Sequence, residues 1–369
     1  MILRRDATLA LAAIACIAIP SRVLPAAAGG ETWVLPAAAG SATWAVEGKL
    51  FGEPKKDRAK PGRVDKDDVK KSTDVSGLAC ATTVGFPRTC LIADDQAQGV
   101  QIVILEDGRL LAGDFIRLTD ETHGDRALDL DAEAVAYADG LFYVVGSHGR
   151  PRHTDGGPDD PSSNARAAAS RKLFRLRIDP AAVDARGRLT GPVAVTASTA
   201  LPGLLAAERA LLFDQPLKKD GLNIEGAAVK GGRLYAGFRG PLVGGRAAIL
   251  SVPLGVLFEG EIGKAEVTTV DLGGARGVRD LVTFGDGFLV LAGPVQDPAD
   301  GSVADGDYAV TWWDGAGRTK SLGAVPSLGP KVKPEALLPL GEADGRLRLL
   351  VLFDGPDEGG PRVVEVDAP

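Results

Sequence analysis

The residues of this sequence best suited to chemistry are acidic, and they recur. Glu133, Glu225, Asp280 and Glu335 each open a short apolar run, and Ser76 opens an equivalent run earlier in the chain. These five positions lie 57, 92, 55 and 55 residues apart. Beside them stand Asp74, Asp131, Asn223, Arg279 and Lys333. A second set, Asp94, Asp95, His148, Arg150, Arg239 and Asp354, follows the next apolar run of each unit. Carboxylates gathered on one surface repel one another unless a cation, interleaved Arg and Lys, or shared protons offset them. An oxygen-rich ring suits Ca2+ or Mg2+ better than Zn2+. Glu133, Glu225, Asp280 and Glu335 are therefore candidate metal ligands. Two other readings stand beside this one. Repeated acids at strand starts cap backbone amides and hold register, or the site takes a purely organic ligand.

The basic residues invite a paired reading too. Arg150, Arg239 and Arg279 present guanidinium forks that match a phosphate or a carboxylate, or else each pairs with a neighbouring acid. His148 is a candidate general base together with Glu225, or a loop histidine bonded to a backbone carbonyl. His153, near Asp155, Asp159 and Asp160, is a weaker metal candidate. Trp312-Trp313 could stack on a sugar, but in a strand neighbouring side chains face opposite ways, so at least one belongs to a core. The sequence has no Gly-x-Ser-x-Gly elbow, no His-Glu-x-x-His pair and no Gly-Lys-Ser phosphate loop.

The elements that must position these residues repeat as well. Each unit is a polar residue, an apolar strand, a Gly- or Asp-containing turn, and a second apolar strand. Ala138-Asp-Gly140, Lys230-Gly-Gly-Arg233 and Gly285-Asp-Gly287 read as hairpin turns. Third strands follow, as at Gln101–Leu105 and Ala247–Val252, and weaker fourth strands close several units. Four antiparallel strands per repeat predict an all-β propeller of five blades, or six if the insertion over 201–221, partly helical around 204–212, hides one. The first strand of each blade lines the central channel, and its start lies beside the end of the second strand. Both sets of polar residues are thereby expected at one mouth. Residues 151–170 read as a surface excursion able to act as a lid, and 52–71 as a solvated loop. The last unit lacks a fourth strand, and 43–50 is a spare one, so the N-terminal strand is expected to close the last blade.

With these motifs in place, the chain resembles a bacterial family catalogued as domain of unknown function 3616. The matching words are Val145-Gly-Ser-His148, Leu222-Asn-Ile-Glu-Gly-Ala227, Gly237-Phe-Arg-Gly-Pro241, Gly277-Val-Arg-Asp280 and Leu291-Ala-Gly-Pro294, within residues 72–366. The resemblance implies a secreted propeller and brings no established chemistry. More distantly, the Glu-Gly-hydrophobe-Ala pattern is similar to esterase-like phytase and gluconolactonase propellers, where channel carboxylates often hold a divalent metal. That likeness is at the level of fold.

Length, charge and cysteines bound the rest. Arg4-Arg5, an apolar run over 7–20 and Ala26-Ala27-Ala28 form an export signal over 1–28. A twin-arginine route, or a lipid anchor at Cys16, are its variants. Loss of this segment removes Arg4, Arg5, Arg22 and Asp6 and moves the formal charge from −7 to −9. That argues against nucleic acid as a partner. No later stretch is long and apolar enough to span a bilayer. Cys80 and Cys90 flank a turn-like Gly85-Phe-Pro87 and are expected to form a disulfide, in keeping with a periplasmic or extracellular monomer. Acids and His148 converge with arginines rather than aromatics. This favours a metal-dependent hydrolase of a phosphoester or lactone, with a non-enzymatic binding module for a small anion or a protein as the alternative.

Overall fold

The computed structural model describes residues 43–54, 69–151 and 160–369. The expected export signal, Cys16, and His153, Asp155 and Asp159 lie outside them. The described chain is a five-bladed β-propeller. Blade one comprises Val75–Cys80, Arg88–Asp94, Gly99–Glu106 and Arg109–Arg117, and blade two Ala132–Ala138, Leu141–Gly146, Leu173–Arg177 and Ala194–Ser198. Blade three runs Asn223–Lys230, Arg233–Gly240, Ala247–Pro253, Glu266–Val270, and blade four Arg276–Phe284, Gly287–Pro294, Ala309–Trp313, Thr319–Ala324. Blade five has three strands, Lys333–Ala343, Arg346–Asp354 and Arg362–Asp367. Tight turns join the inner hairpins. Asp139-Gly140 and Gly231-Gly232 both have positive φ at two successive residues, as a two-residue hairpin loop requires.

The core is divided among the seams between blades. Five clusters of buried side chains fill them, one for each pair of neighbours. Each sheet is thus covered on both faces, which is why its strands read as continuous apolar runs. The insertion adds to one seam. Leu201–Ala207 is an α-helix and Arg209–Leu211 a 3-10 turn. Their Leu201, Leu205 and Leu211 fill the gap between blades two and three, so the insertion holds no sixth blade.

The N-terminal strand reaches the last blade at one point and then leaves it. Thr43 bridges Arg362, and the Trp44 amide donates to the Pro361 carbonyl at 2.9 Å. Buried Trp44 seats the segment in the seam between blades five and one. Ala45–Glu47 then runs parallel to Arg109–Arg117 as an outer fifth strand of blade one. Ring closure rests mainly on the Asp74–Asp354 bridge and on the Gly355 and Glu358 amides, which donate to the Thr73 and Ser72 carbonyls.

Two local expectations change, and the reading that at least one tryptophan of the Trp312-Trp313 pair belongs to a core holds. The ends of the supposed solvated loop pair as strands, Phe51–Pro54 with Val69–Lys71. Within the supposed lid, Pro161–Ser170 is a helix whose first turn is capped by Asp160, with proline at its start and an alanine run in its body. Trp313 is buried and stacks on Phe288, and Trp312 is half-buried, so the pair forms no open platform.

One irregularity recurs in every blade. The register between first and second strands skips Ser76, Glu133, Glu225, Arg279 and Glu335 in turn. Each is a β-bulge, which bends the strand and re-aims a side chain. The following residue lies against the inner strand of the next blade, and in four of the five blades it is Gly or Ala. A Cβ on Gly77 would stand 2.9 Å from the Val135 amide nitrogen, and one on Gly226 2.7 Å from that of Leu281. Gly226→Ala should therefore destabilise the protein by about 1–3 kcal/mol, because the seam has no room to yield. Urea unfolding would measure it, and a variant as stable as the parent would contradict tight seam packing.

Candidate functional site

The bulges bring the sequence-predicted residues to one mouth but sort them into two unlike halves. On the side of blades three to five the acids meet bases. Glu225 accepts from Arg239 Nη1 at 3.1 Å and lies 2.9 Å from Arg279 Nη1. Arg279 also makes a two-point contact with Glu335. Arg239 reaches Asp297 at 2.5 Å, and Lys333 bonds Asp354 at 2.9 Å. Arg239 and Arg279 are 2% and 1% exposed, so neither is presented to a ligand. Burial opposes the charge on Arg279, yet Glu225 and Glu335 hold its pKa well above the ordinary value. Of the two roles open to these arginines, ion pairing is the one observed.

Asp280 stands apart from this network. The structure puts Arg279, not Asp280, at the bulge. Asp280 takes the place that Gly or Ala holds in other blades. One of its oxygens accepts from the Leu281 amide and the other from the Leu337 amide of blade five, both at 2.7 Å. Burial pushes its pKa up to about 8, against the pull of these two amides. Its carboxylate thus staples blades four and five.

The side of blades one and two is acidic. Carboxylate oxygens of Asp95, Asp131 and Glu133 lie within 4.8 Å of one another. A relay of backbone bonds holds them there. The Asp95 amide donates to the Asp74 carbonyl, Asp131 to Asp95, Ser147 to Asp131, and Ile224 to Ser147. The Ser147 hydroxyl also bonds the Asp131 carboxylate. Oδ1 of Asp95 is buried without a hydrogen-bond partner. Burial, then the carboxylates of Glu133, Asp94, Asp131 and Asp74, raise the Asp95 pKa well above its usual value. Burial lifts Asp94 to about 7 even though Ser72 bonds it. Burial likewise raises Asp74, with Asp354 adding to the shift. A buried oxygen with no donor, facing other carboxylates, fits a hard cation that accepts oxygen ligands.

The remaining candidates lie elsewhere. His148 is buried, and burial lowers its pKa to about 4. Its Nδ1 is 2.8 Å from the Gly146 carbonyl and its Nε2 is enclosed without a partner. A base so enclosed does not face the mouth solvent. Arg150 bonds Asn164 and lies 3.4 Å from Asp214. Cys80 and Cys90 are register partners and form the expected disulfide. Asp95 was visible in the sequence as an acid after a second strand. What sequence reasoning missed was its pairing with Asp131 of the next blade, which the backbone relay creates.

Comparison with known proteins agrees with the sequence resemblance over part of the chain. Residues 206–369 match the family model described as protein of unknown function, DUF3616. The words beginning at Leu222, Gly237, Gly277 and Leu291 fall inside this match, and Val145-Gly-Ser-His148 falls before it. No curated protein matches the sequence. Among solved structures, a GH43 beta-1,3-galactosidase is 10% identical with a TM-score of 0.44, and the match covers 88% of this chain but only 59% of that one. Calcium-binding regucalcin from Agrobacterium tumefaciens is 15% identical with a TM-score of 0.33, covering 88% and 97% of the two chains. A GH43 endo-arabinanase from Bacillus licheniformis is 8% identical with a TM-score of 0.34, covering 88% and 96%.

Two outcomes follow from this geometry. Asp280→Ala should cost about 1–3 kcal/mol by stranding the Leu337 amide, while Asp280→Asn, which keeps an acceptor, should cost less. Equal losses in chemical unfolding would contradict the staple. The raised carboxylates set a pH dependence. Their protonated forms are favoured in the fold, so that contribution is complete below the unfolded pKa near 4 and fades as pH rises through the folded values, about 7 for Asp94. Chelated protein should lose thermal stability between about pH 4 and pH 7, and millimolar calcium should restore it at the upper end. A melting temperature flat in pH and indifferent to calcium would contradict the acidic cluster.

Proposed function

We propose that Asp95, Asp131 and Glu133 hold one calcium or magnesium ion at the channel mouth, and that the ion offers its open positions to a small anionic ligand. Buried Oδ1 of Asp95 carries this reading, because it has no hydrogen-bond partner and burial, then the carboxylates of Glu133, Asp94, Asp131 and Asp74, raise its pKa, an effect that a cation would offset. Glu133 keeps the role the sequence suggested for it. Glu225 and Glu335 serve the arginines, and Asp280 serves the seam. The anion would be recognised through the ion rather than through Arg239 or Arg279, which are spent on carboxylates. A divalent ion in such a site polarises a phosphoryl or carbonyl oxygen and lowers the pKa of bound water. A phosphoester or lactone is therefore the substrate class for a hydrolytic version of this site. Binding takes precedence over hydrolysis because His148, the sequence candidate for base, is enclosed.

Calorimetric titration of calcium and magnesium into chelated protein tests the reading. We expect one ion per chain, and affinity at least about ten-fold weaker in Asp131→Asn and in Glu133→Gln. Absence of binding, or binding unchanged in both variants, would overturn it. Chelator-sensitive turnover in a phosphoester and lactone screen would raise hydrolysis above binding.

A further inference from the structure

The opposite end of the channel has a different chemistry. Below the bulged residues the inner strands enclose a cavity of about 580 Å³. Its upper wall takes one apolar residue from each blade: Leu78, Val135, Ala227, Leu281 and Leu338. Four of these stand two positions past the bulge and Leu338 three. The ion pairs of Glu225, Arg279 and Glu335 thus lie toward the other mouth and do not line this cup. A volume of this size is typical of sites that enclose a small organic molecule. Each inner strand is also the edge of its sheet. Its outward backbone groups give a ligand a few fixed hydrogen-bond partners amid apolar carbon.

Charge at the rim narrows the occupant. Asp139 and Glu342 are exposed acids there. The cations beside them are engaged. Arg88 is buried and donates to the carbonyls of Gly85, Pro339 and Leu340. Lys230 donates to the Gly285 carbonyl at 3.3 Å and stands 5.4 Å from the centre of the Phe288 ring. A carboxylate or phosphate entering the cup would meet acids without an available guanidinium. We propose that this cup binds one small, largely apolar molecule that carries no negative charge. The site is separate from the ion site at the other mouth and does not depend on it.

The neutral fluorophore N-phenylnaphthylamine, titrated into the intact folded protein, tests the proposal. Saturable binding of one probe per chain is expected, unchanged by chelator or calcium. Anionic anilinonaphthalene sulfonate should bind at least about ten-fold more weakly. Thr283→Trp and Ala138→Trp each place a large ring at a half-buried cavity-lining position, on different blades. Each should weaken the neutral probe about ten-fold or more in protein that remains folded, with some loss of thermal stability because Thr283 donates to the Val229 carbonyl and Ala138 packs against the seam of blades two and three. Failure of one variant to fold leaves the other as the test. No saturable binding, equal binding of the anionic probe, or undiminished binding in a folded variant would overturn the proposal. So would dimerisation that the probe reverses, because the occupant would then be the exposed Val84 hairpin of a second copy.

Discussion

The mouth of this propeller depends on a single bulge repeated in all five inner strands. In a regular strand side chains alternate between faces, so Ser76, Glu133, Glu225, Arg279 and Glu335 would each have to point into a seam. The bulge releases them from pairing. It also brings the next residue against the neighbouring blade, which accounts for Gly77, Ala134, Gly226 and Ala336. Asp280 shows that a larger residue fits this place when its carboxylate can take the amide it meets. Polar residues at the mouth and tight seams below are therefore two results of one backbone feature.

Charge is divided unevenly across that mouth. Taking ionised groups out of water is costly unless each is paired and hydrogen-bonded. The half formed by blades three to five meets this condition with Arg239, Arg279 and Lys333. In the other half, Asp95 faces carboxylates from two blades, and its pKa is raised accordingly. The first arrangement ties blades three, four and five to one another through ion pairs. The second is the kind of site that a divalent ion completes. The acidic repeat runs through the whole chain, yet among the described residues only in blades one and two do three of its carboxylates lie within 4.8 Å of one another.

Much of this organisation could be read from residues alone. Hairpin turns with Gly and Asp, apolar runs long enough for buried strands, and near-regular spacing of the acids were sufficient for a propeller and its five blades. The Cys80–Cys90 pairing was legible because a short hairpin leaves few alternatives. The fate of each acid was not legible. Whether Glu225 faces a metal or an arginine depends on Arg279, 54 residues later and one blade away. Asp280 shifted from ligand to staple through a one-residue register difference at the bulge. The helix Pro161–Ser170 had its signal in Asp160-Pro161 and the alanines after it, hidden by the polar loop around it. The division of the N-terminal strand between two blades depends on seating Trp44, which alternation alone does not specify.

The central claim is that the acidic half of the mouth is a cation site. A crystal of the protein grown with manganese, which takes oxygen ligands and scatters anomalously, tests it most directly. The account predicts one strong anomalous peak about 2.0–2.6 Å from carboxylate oxygens of Asp95, Asp131 and Glu133. A Lys or Arg side chain lying among those three carboxylates, or a peak bound instead by Glu225 and Glu335 with the arginines displaced, would contradict it.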